Sequence, residues 1–205
     1  MNRRQLLTRL TLMGTGIGFS ALSPATELRQ PRLELVTDSD YQWTGVAVSK
    51  EGRIFVTFPT QTEFPSFHVG ELKAGVAAPL LDREENRSFS NLTGIYLDAL
   101  DRLWVLDSGK LEGRKTPTGL AKLVCIDIRR NRISRSHVIS SGLLTAESFL
   151  ADLRIDAHRG MAYLSDAGAG GILVIDLKSG DQWMGLDRKT AQTRASGRFI
   201  AYPHQ

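Results

Sequence analysis

The sequence predicts an all-β fold, a β-propeller built from four-stranded antiparallel blades, of which three are present. Three observations predict it. The stretch LTGIYLDALDRLWVLDSG (92–109) alternates at period two, turns at Asp98–Asp101 and resumes as an apolar run, the pattern of two antiparallel strands around a tight turn. The same pattern recurs from Trp43 and from Leu150, with turn residues Ser49, Asp98 and Asp156 separated by 49 (98 − 49) and 58 (156 − 98) positions. A second hairpin follows each copy, from His68, Leu123 and Ile172, with an acidic residue ahead of its turn at Glu71, Asp127 and Asp176, spaced by 56 (127 − 71) and 49 (176 − 127). The two series interleave, so the repeating unit has four strands. Four short strands at a period near 50 residues are the signature of propeller blades.

Taken in chain order, residues 1–25 come first. They combine Arg3, Arg4 and Arg9 with an apolar stretch from Leu10 to Leu22 and small residues at Ser23 and Ala25, and read as an export signal of twin-arginine character. The stretch is too short to span a bilayer as a helix. An exported protein, periplasmic or extracellular, is expected. Residues 26–40 form a polar lead-in whose one apolar patch, 33–36, reads as a short strand. Residues 41–187 hold the three blades, and 188–205 an irregular tail without a strand pair. No 3.6-residue periodicity appears; Thr145–Leu153 alone reads as a short helical turn.

Charge removes one class of function. The chain carries 26 Lys and Arg against 22 Asp and Glu, a net +4. Residues 1–25 contain three of those cations and no acid, so the remainder stands at 23 against 22, or +1. No basic face for nucleic acid is expected. Cys125 is the sole cysteine and sits at an alternating position in KLVCIDI, which assigns it to the core and leaves no partner for a disulfide. The histidines 68, 137, 158 and 204 have no metal-ligand spacing. AGAGG (167–171) precedes a strand and lacks the following Lys-Ser/Thr of a phosphate loop, so it reads as a tight turn. Trp43, Trp104 and Trp183 recur at corresponding blade positions and are assigned to packing between blades.

Propeller sites are built from polar residues at strand ends, which here are Asn91, Asp107, Asp152 and Asp166. Asp107-Ser108-Gly109 and Asp166-Ala167-Gly168 also fit turns in which the carboxylate accepts main-chain N–H groups. The insert Lys110–Lys122, basic and rich in Gly, Pro and Thr, is a long loop leaving a strand end, a place where binding residues concentrate.

GIYLDALDRLWVLDSG, KLVCIDI and SFLADLRIDAHRGMAYLSDAGAGGILVIDLKSG, in that order, resemble the yellow and major royal jelly protein family, in its bacterial branch within the wider gluconolactonase-like propellers. Asp152, Tyr163, Asp166 and Gly168 stand at matching positions, and the resemblance covers residues 43–180. It implies a six-bladed ring of which this chain holds the first half, the tail after Leu186 departing from the family. It implies a small-molecule ligand at the channel mouth, an aromatic amine or a quinone, bound or converted by a tautomerase-like step. The lactonase relatives imply a different activity, lactone hydrolysis with a divalent cation such as calcium held by a Glu, Asn and Asp set. Asn91, Asp107 and Asp152 would be partial equivalents, with Glu34 or Glu63 nearest for the glutamate, although yellow-type proteins are not marked by that set. A third expectation follows from half a ring: an inactive truncated fragment, self-associating through unpaired blade edges.

Overall fold

The computed structural model describes residues 35–60 and 66–187. The export segment, Glu34, Glu63, His204 and the tail after residue 187 lie outside the described residues. Among the described residues twelve strands form three sheets. Gly45–Val48 (β1), Ile54–Thr57 (β2), Val69–Lys73 (β3) and Val76–Pro79 (β4) make the first; Leu92–Leu97 (β5), Leu103–Asp107 (β6), Lys122–Asp127 (β7) and Arg132–Val138 (β8) the second; Leu150–Asp156 (β9), Met161–Asp166 (β10), Gly171–Asp176 (β11) and Gln182–Leu186 (β12) the third. Each sheet keeps sequence order and every neighbouring pair is antiparallel, so each is a four-stranded blade. The three blades form no closed ring among the described residues.

The first turn of every blade uses its polar residue in the same way. Asp98 accepts the N–H groups of Leu100 and Arg102, the Arg102 guanidinium and the Trp104 indole N–H at 2.7–3.1 Å. Burial pushes its pKa up, but these donors outweigh burial and hold it below the ordinary value. Ser49 Oγ accepts Arg53 N, and Asp156 accepts the N–H groups of His158 and Arg159.

The middle blade shows why its strands are continuously apolar. Leu103 and Val105 of β6, with Val124 and Ile126 of β7 and Ile95 of β5, pack toward the first blade against Phe55 and Val69. The alternate residues Trp104, Leu106, Leu123 and Cys125 pack toward the third blade against Leu153, Leu164 and Leu173. Both faces are covered, so alternation disappears. Each large apolar side chain enclosed this way contributes about 1.5–3 kcal/mol. Two glycines set the approach of the inner strands: a Cβ on Gly45 would lie 2.5 Å from Ile95 Cγ2, and one on Gly94 would lie 2.7 Å from Leu153 Cδ2. The position of Gly45 and Gly94 is held in the third blade by Asp152, on a face with no further blade against it.

The end faces are consequently open. Val46 on the first blade is 58 % exposed, and on the third Tyr163 is 37 % and Trp183 42 % exposed. Trp104 does pack between blades, whereas Trp183 lies on this outer face, because its strand neighbour Val174 points the same way.

Three sequence expectations change. Residues 35–44 contain no strand, with 33 and 34 of the expected one outside the described residues, and the expected helical turn at Thr145–Leu153 is limited to a single turn at Ala146-Glu147, since β9 starts at Leu150 as the hairpin pattern expects. The described residues do contain one α-helix, Arg83–Arg87 (α1), capped by Asp82 accepting Glu85 N. Glu71 stands ahead of its turn as expected, but three residues before the positive-φ pair Ala74-Gly75 and not directly at the turn as Asp127 and Asp176 are.

Glu71 instead sits inside β3 and makes a two-pronged pair with Arg53, at 2.6 and 3.0 Å, while Arg53 also donates to Ile128 O in the second blade. The Arg53 hydrogen bond chiefly lowers the Glu71 pKa, with help from the charges of Arg53 and Lys73. Because the folded pKa is depressed, the pair's stabilisation is complete above the ordinary glutamate value of about 4.3 and is lost as pH falls through the lower folded value. Urea midpoints measured from pH 7 down to pH 3 should therefore fall more steeply in the parent than in Glu71→Gln; equal slopes would contradict this role.

Candidate functional site

Asn91, Asp107 and Asp166 lie at one end of the blades, where the longer loops emerge, whereas Asp152 lies inside β9. Asp107 closes β6, is fully enclosed, and accepts the N–H groups of Ser90 (2.8 Å), Asn91 (2.9 Å) and Gly109 (3.0 Å). Lys122 Nζ stands 3.9 Å away and also donates to Ser88 O. Asp166 repeats the device in the next blade, accepting from Phe149, Gly168 and Ala169 at 2.9–3.1 Å. Each carboxylate thus ties the loop that enters its blade to the loop that leaves its second strand. The first blade has Phe58 at this position, packed edge-on against Phe67 and Tyr41.

Asn91 is buried and donates to Ser108 Oγ and Lys110 O, fixing the base of the insert. Gly109 adopts φ +64° there, and its carbonyl accepts the N–H groups of Thr118 and Gly119, which folds the insert back on itself. Asp152 stands apart: it is exposed and pairs with Arg154 at 3.0 Å, with the Arg154 guanidinium 5.5 Å from the Tyr96 ring centre. The structure therefore brings Asn91 and Asp107 together as supports of one loop, places Asp166 under the neighbouring loop, and leaves Asp152 on the outer face of the third blade. Among the described residues no three His, Cys, Asp or Glu side chains form a group suited to a metal ion.

What these supports shape is a cleft. The insert on one side and the loops at 144–149 and 167–168 on the other enclose a cavity of about 410 Å³, walled by Lys110, Glu112, Arg114, Glu147, Phe149 and Gly168 among others. A smaller, more apolar cavity of about 200 Å³ adjoins it, between the same insert and Ile139, Leu144 and Thr145. Gly168 is required by the fit, since a Cβ there would collide with the Glu147 carbonyl oxygen and stand 2.8 Å from Phe149 N. Ser148 Oγ accepts Thr145 N at 2.9 Å and holds the opposing loop in shape.

Lys110, Glu147 and Phe149 were not singled out as site residues from sequence. The signal available was the insert itself, whose basic run marks one wall. The other wall comes from the start of the third blade, and no local pattern announces it.

The remaining reactive side chains lie elsewhere. Cys125 is buried between the second and third blades, and burial raises its thiol pKa. His137 stacks on Trp104 at 6.5 Å, and burial lowers its pKa. His68 lies beside Phe89 in the first blade, its pKa lowered mainly by burial. No helix among the described residues is long and apolar enough to cross a membrane.

Comparison with known proteins bears on the two blades that build this cleft. The model of the family described as major royal jelly protein matches residues 92–202, from the first residue of β5 to beyond β12. No curated protein matches the chain. The match begins at the second blade, so the resemblance expected from residue 43 is not matched over the first. It also runs past Leu186, beyond the residue where the family pattern is expected to stop. With more than half of its 205 residues matched, the chain belongs to the major royal jelly protein family.

Proposed function

We propose that this chain is an exported, yellow-like propeller protein that binds a small aromatic ligand, of the amine or quinone type, in the cleft between the insert and the third blade. The observation that carries the reading is the cavity of about 410 Å³, which falls in the range of small-molecule sites. Its walls suit such a ligand. Phe149 offers a ring face or edge, Glu112 and Glu147 offer carboxylates to an ammonium group, and Lys110 offers a donor to a quinone or phenol oxygen. Asp107, Asn91 and Asp166 support the walls by holding the loops. Export is supported by the basic start and the apolar stretch of residues 1–25.

Calorimetric titration with tyramine and with catechol tests the reading. Saturable binding of either, weakened about tenfold by Phe149→Ala, is expected from the loss of an aromatic contact worth about 0.5–1.5 kcal/mol. No saturable heat with either ligand up to millimolar concentration would refute it.

The lactone-hydrolase alternative needs converging oxygen ligands for its divalent cation. Asn91 and Asp107 are committed to main-chain and side-chain partners in the loop bases, and Asp152 stands apart from both, so this reading takes second place. A stoichiometric divalent ion together with lactone turnover would reverse the order. The open apolar faces of the first and third blades support self-association as a further property of the chain.

A further inference from the structure

Lys110 is 7 % exposed, a degree of burial that lysine seldom reaches without a partner of opposite charge. Its side chain crosses from the insert to the opposing loop, where Nζ donates to Ala146 O at 2.9 Å, and it borders both the larger and the smaller cavity. An ammonium group has three donors, and one carbonyl uses one of them. No carboxylate pairs with Nζ among the described residues.

The other enclosed carboxylates among the described residues are compensated. Glu71 has Arg53 and Lys73, Asp98 has Arg102 and an indole N–H, and Asp107 has three main-chain donors and Lys122 nearby. A buried charge without a counter-charge is costly, and in low-dielectric surroundings its attraction for an incoming opposite charge is correspondingly strong. Arg114 and Lys115 face the same larger cavity, so its cations outnumber Glu112 and Glu147 by three to two.

We infer that Lys110 is the anchoring residue of the cleft and that it takes an anionic oxygen of an aromatic ligand, a carboxylate for which Phe149 supplies the ring contact. This inference rests on the cleft being the ligand site, and it assigns that site an aromatic acid in place of the amine or quinone proposed above. The carboxylate supplies the missing counter-charge and accepts the two donors that Ala146 leaves unused. Arg114 and Lys115 sit at the rim of the same charge, where they raise its local concentration.

The test uses two probes with a common phenol ring and opposite charge, 4-hydroxyphenylacetate and tyramine, titrated into the full-length protein and into Lys110→Met and Lys110→Arg. The parent is expected to bind 4-hydroxyphenylacetate at least tenfold more tightly than tyramine. Lys110→Met should weaken 4-hydroxyphenylacetate at least tenfold and tyramine, which loses no charge pair, by a clearly smaller factor, so that the preference for the acid disappears, and Lys110→Arg should retain most of the affinity for the acid. Melting curves of each variant without ligand separate folding from recognition. Equal losses for both probes, or no loss for the acid, would show that Lys110 only braces the Ala146 loop and would overturn the inference. Tyramine or catechol binding without 4-hydroxyphenylacetate binding would overturn it and leave the cleft reading standing. Failure of all three probes on the parent would overturn both. If Lys110→Met does not fold, Lys110→Gln provides the same neutral comparison.

Discussion

Asp107→Ala is expected to lower stability by about 4 kcal/mol, the largest effect of any single side-chain truncation at this end of the protein. The carboxylate is fully enclosed and accepts three main-chain N–H groups, from Ser90, Asn91 and Gly109. Truncation leaves three buried donors without an acceptor, and each such donor costs about 1–3 kcal/mol. Relaxation and water entry recover part of that, which brings the sum to the upper range seen for point mutations. At about 2–4 °C per kcal/mol for a protein of this size, the melting temperature should drop by about 8–16 °C. Asp107→Asn keeps one acceptor oxygen but turns an NH₂ group toward N–H donors, so about half the loss is expected. Differential scanning calorimetry of both variants decides it. A melting temperature within about 2 °C of the parent for Asp107→Ala would show that the three contacts are not what holds the loops. Because the same contacts set the base of the insert, ligand binding in the cleft should fail in Asp107→Ala even below its melting temperature.

The blades were readable because their determinants are local and repeated. Ser49, Asp98 and Asp156 each make bonds within a few residues, so their positions report the turns directly. The continuous apolar run of β6 also signalled its own burial, since a strand covered on both faces has no polar side to alternate with. Where the local signal was short or shared, the reading slipped. The α1 helix has only five residues, less than two turns, and cannot display a period. Glu71 precedes its turn as Asp127 and Asp176 do, but Leu72 and Lys73 separate it from Ala74-Gly75, and its partner Arg53 lies just before β2. Thr145–Leu153 has helical spacing in its apolar residues, yet Asp166 captures Phe149 N and the sheet captures Leu150 onward.

The candidate site was half legible for a related reason. Asn91, Asp107 and Asp166 stood out as polar residues at strand ends, and they do gather at the end where the cleft opens. Their hydrogen bonds, however, go mainly to backbone. The groups left facing the cavity, Lys110 and Phe149, acquire that role through Ala146 and Asp166, which lie 36 and 17 residues away in the chain. Burial of a lysine is a property of the assembled loops, and no spacing in the sequence encodes it.

Gly109→Ala is the second substitution with a large expected effect, and Gly113→Ala in the same insert separates its two causes. Both glycines have positive φ, +64° and +72°, where an L-residue is disfavoured by about 1–2 kcal/mol. At Gly113 nothing lies within 4 Å of the added methyl, so this backbone term is the whole cost. At Gly109 the methyl would stand 2.5 Å from Ala121 N and 2.7 Å from Gly119 O and Leu120 C, all backbone atoms that cannot rotate away. Overpacking of this kind adds about 1–3 kcal/mol. Gly109→Ala should therefore destabilise by about 3–4 kcal/mol against about 1 for Gly113→Ala, read as the difference in urea midpoints at constant slope. The two ends of the insert must also part to admit the methyl, which breaks the Thr118 and Gly119 bonds to Gly109 O and moves Lys110 away from Ala146. Gly109→Ala is then expected to abolish binding of 4-hydroxyphenylacetate in the protein that remains folded, while Gly113→Ala binds it as the parent does. Equal stability losses in the two variants would assign the whole effect to φ and show that the closed base of the insert is not held by close backbone contact.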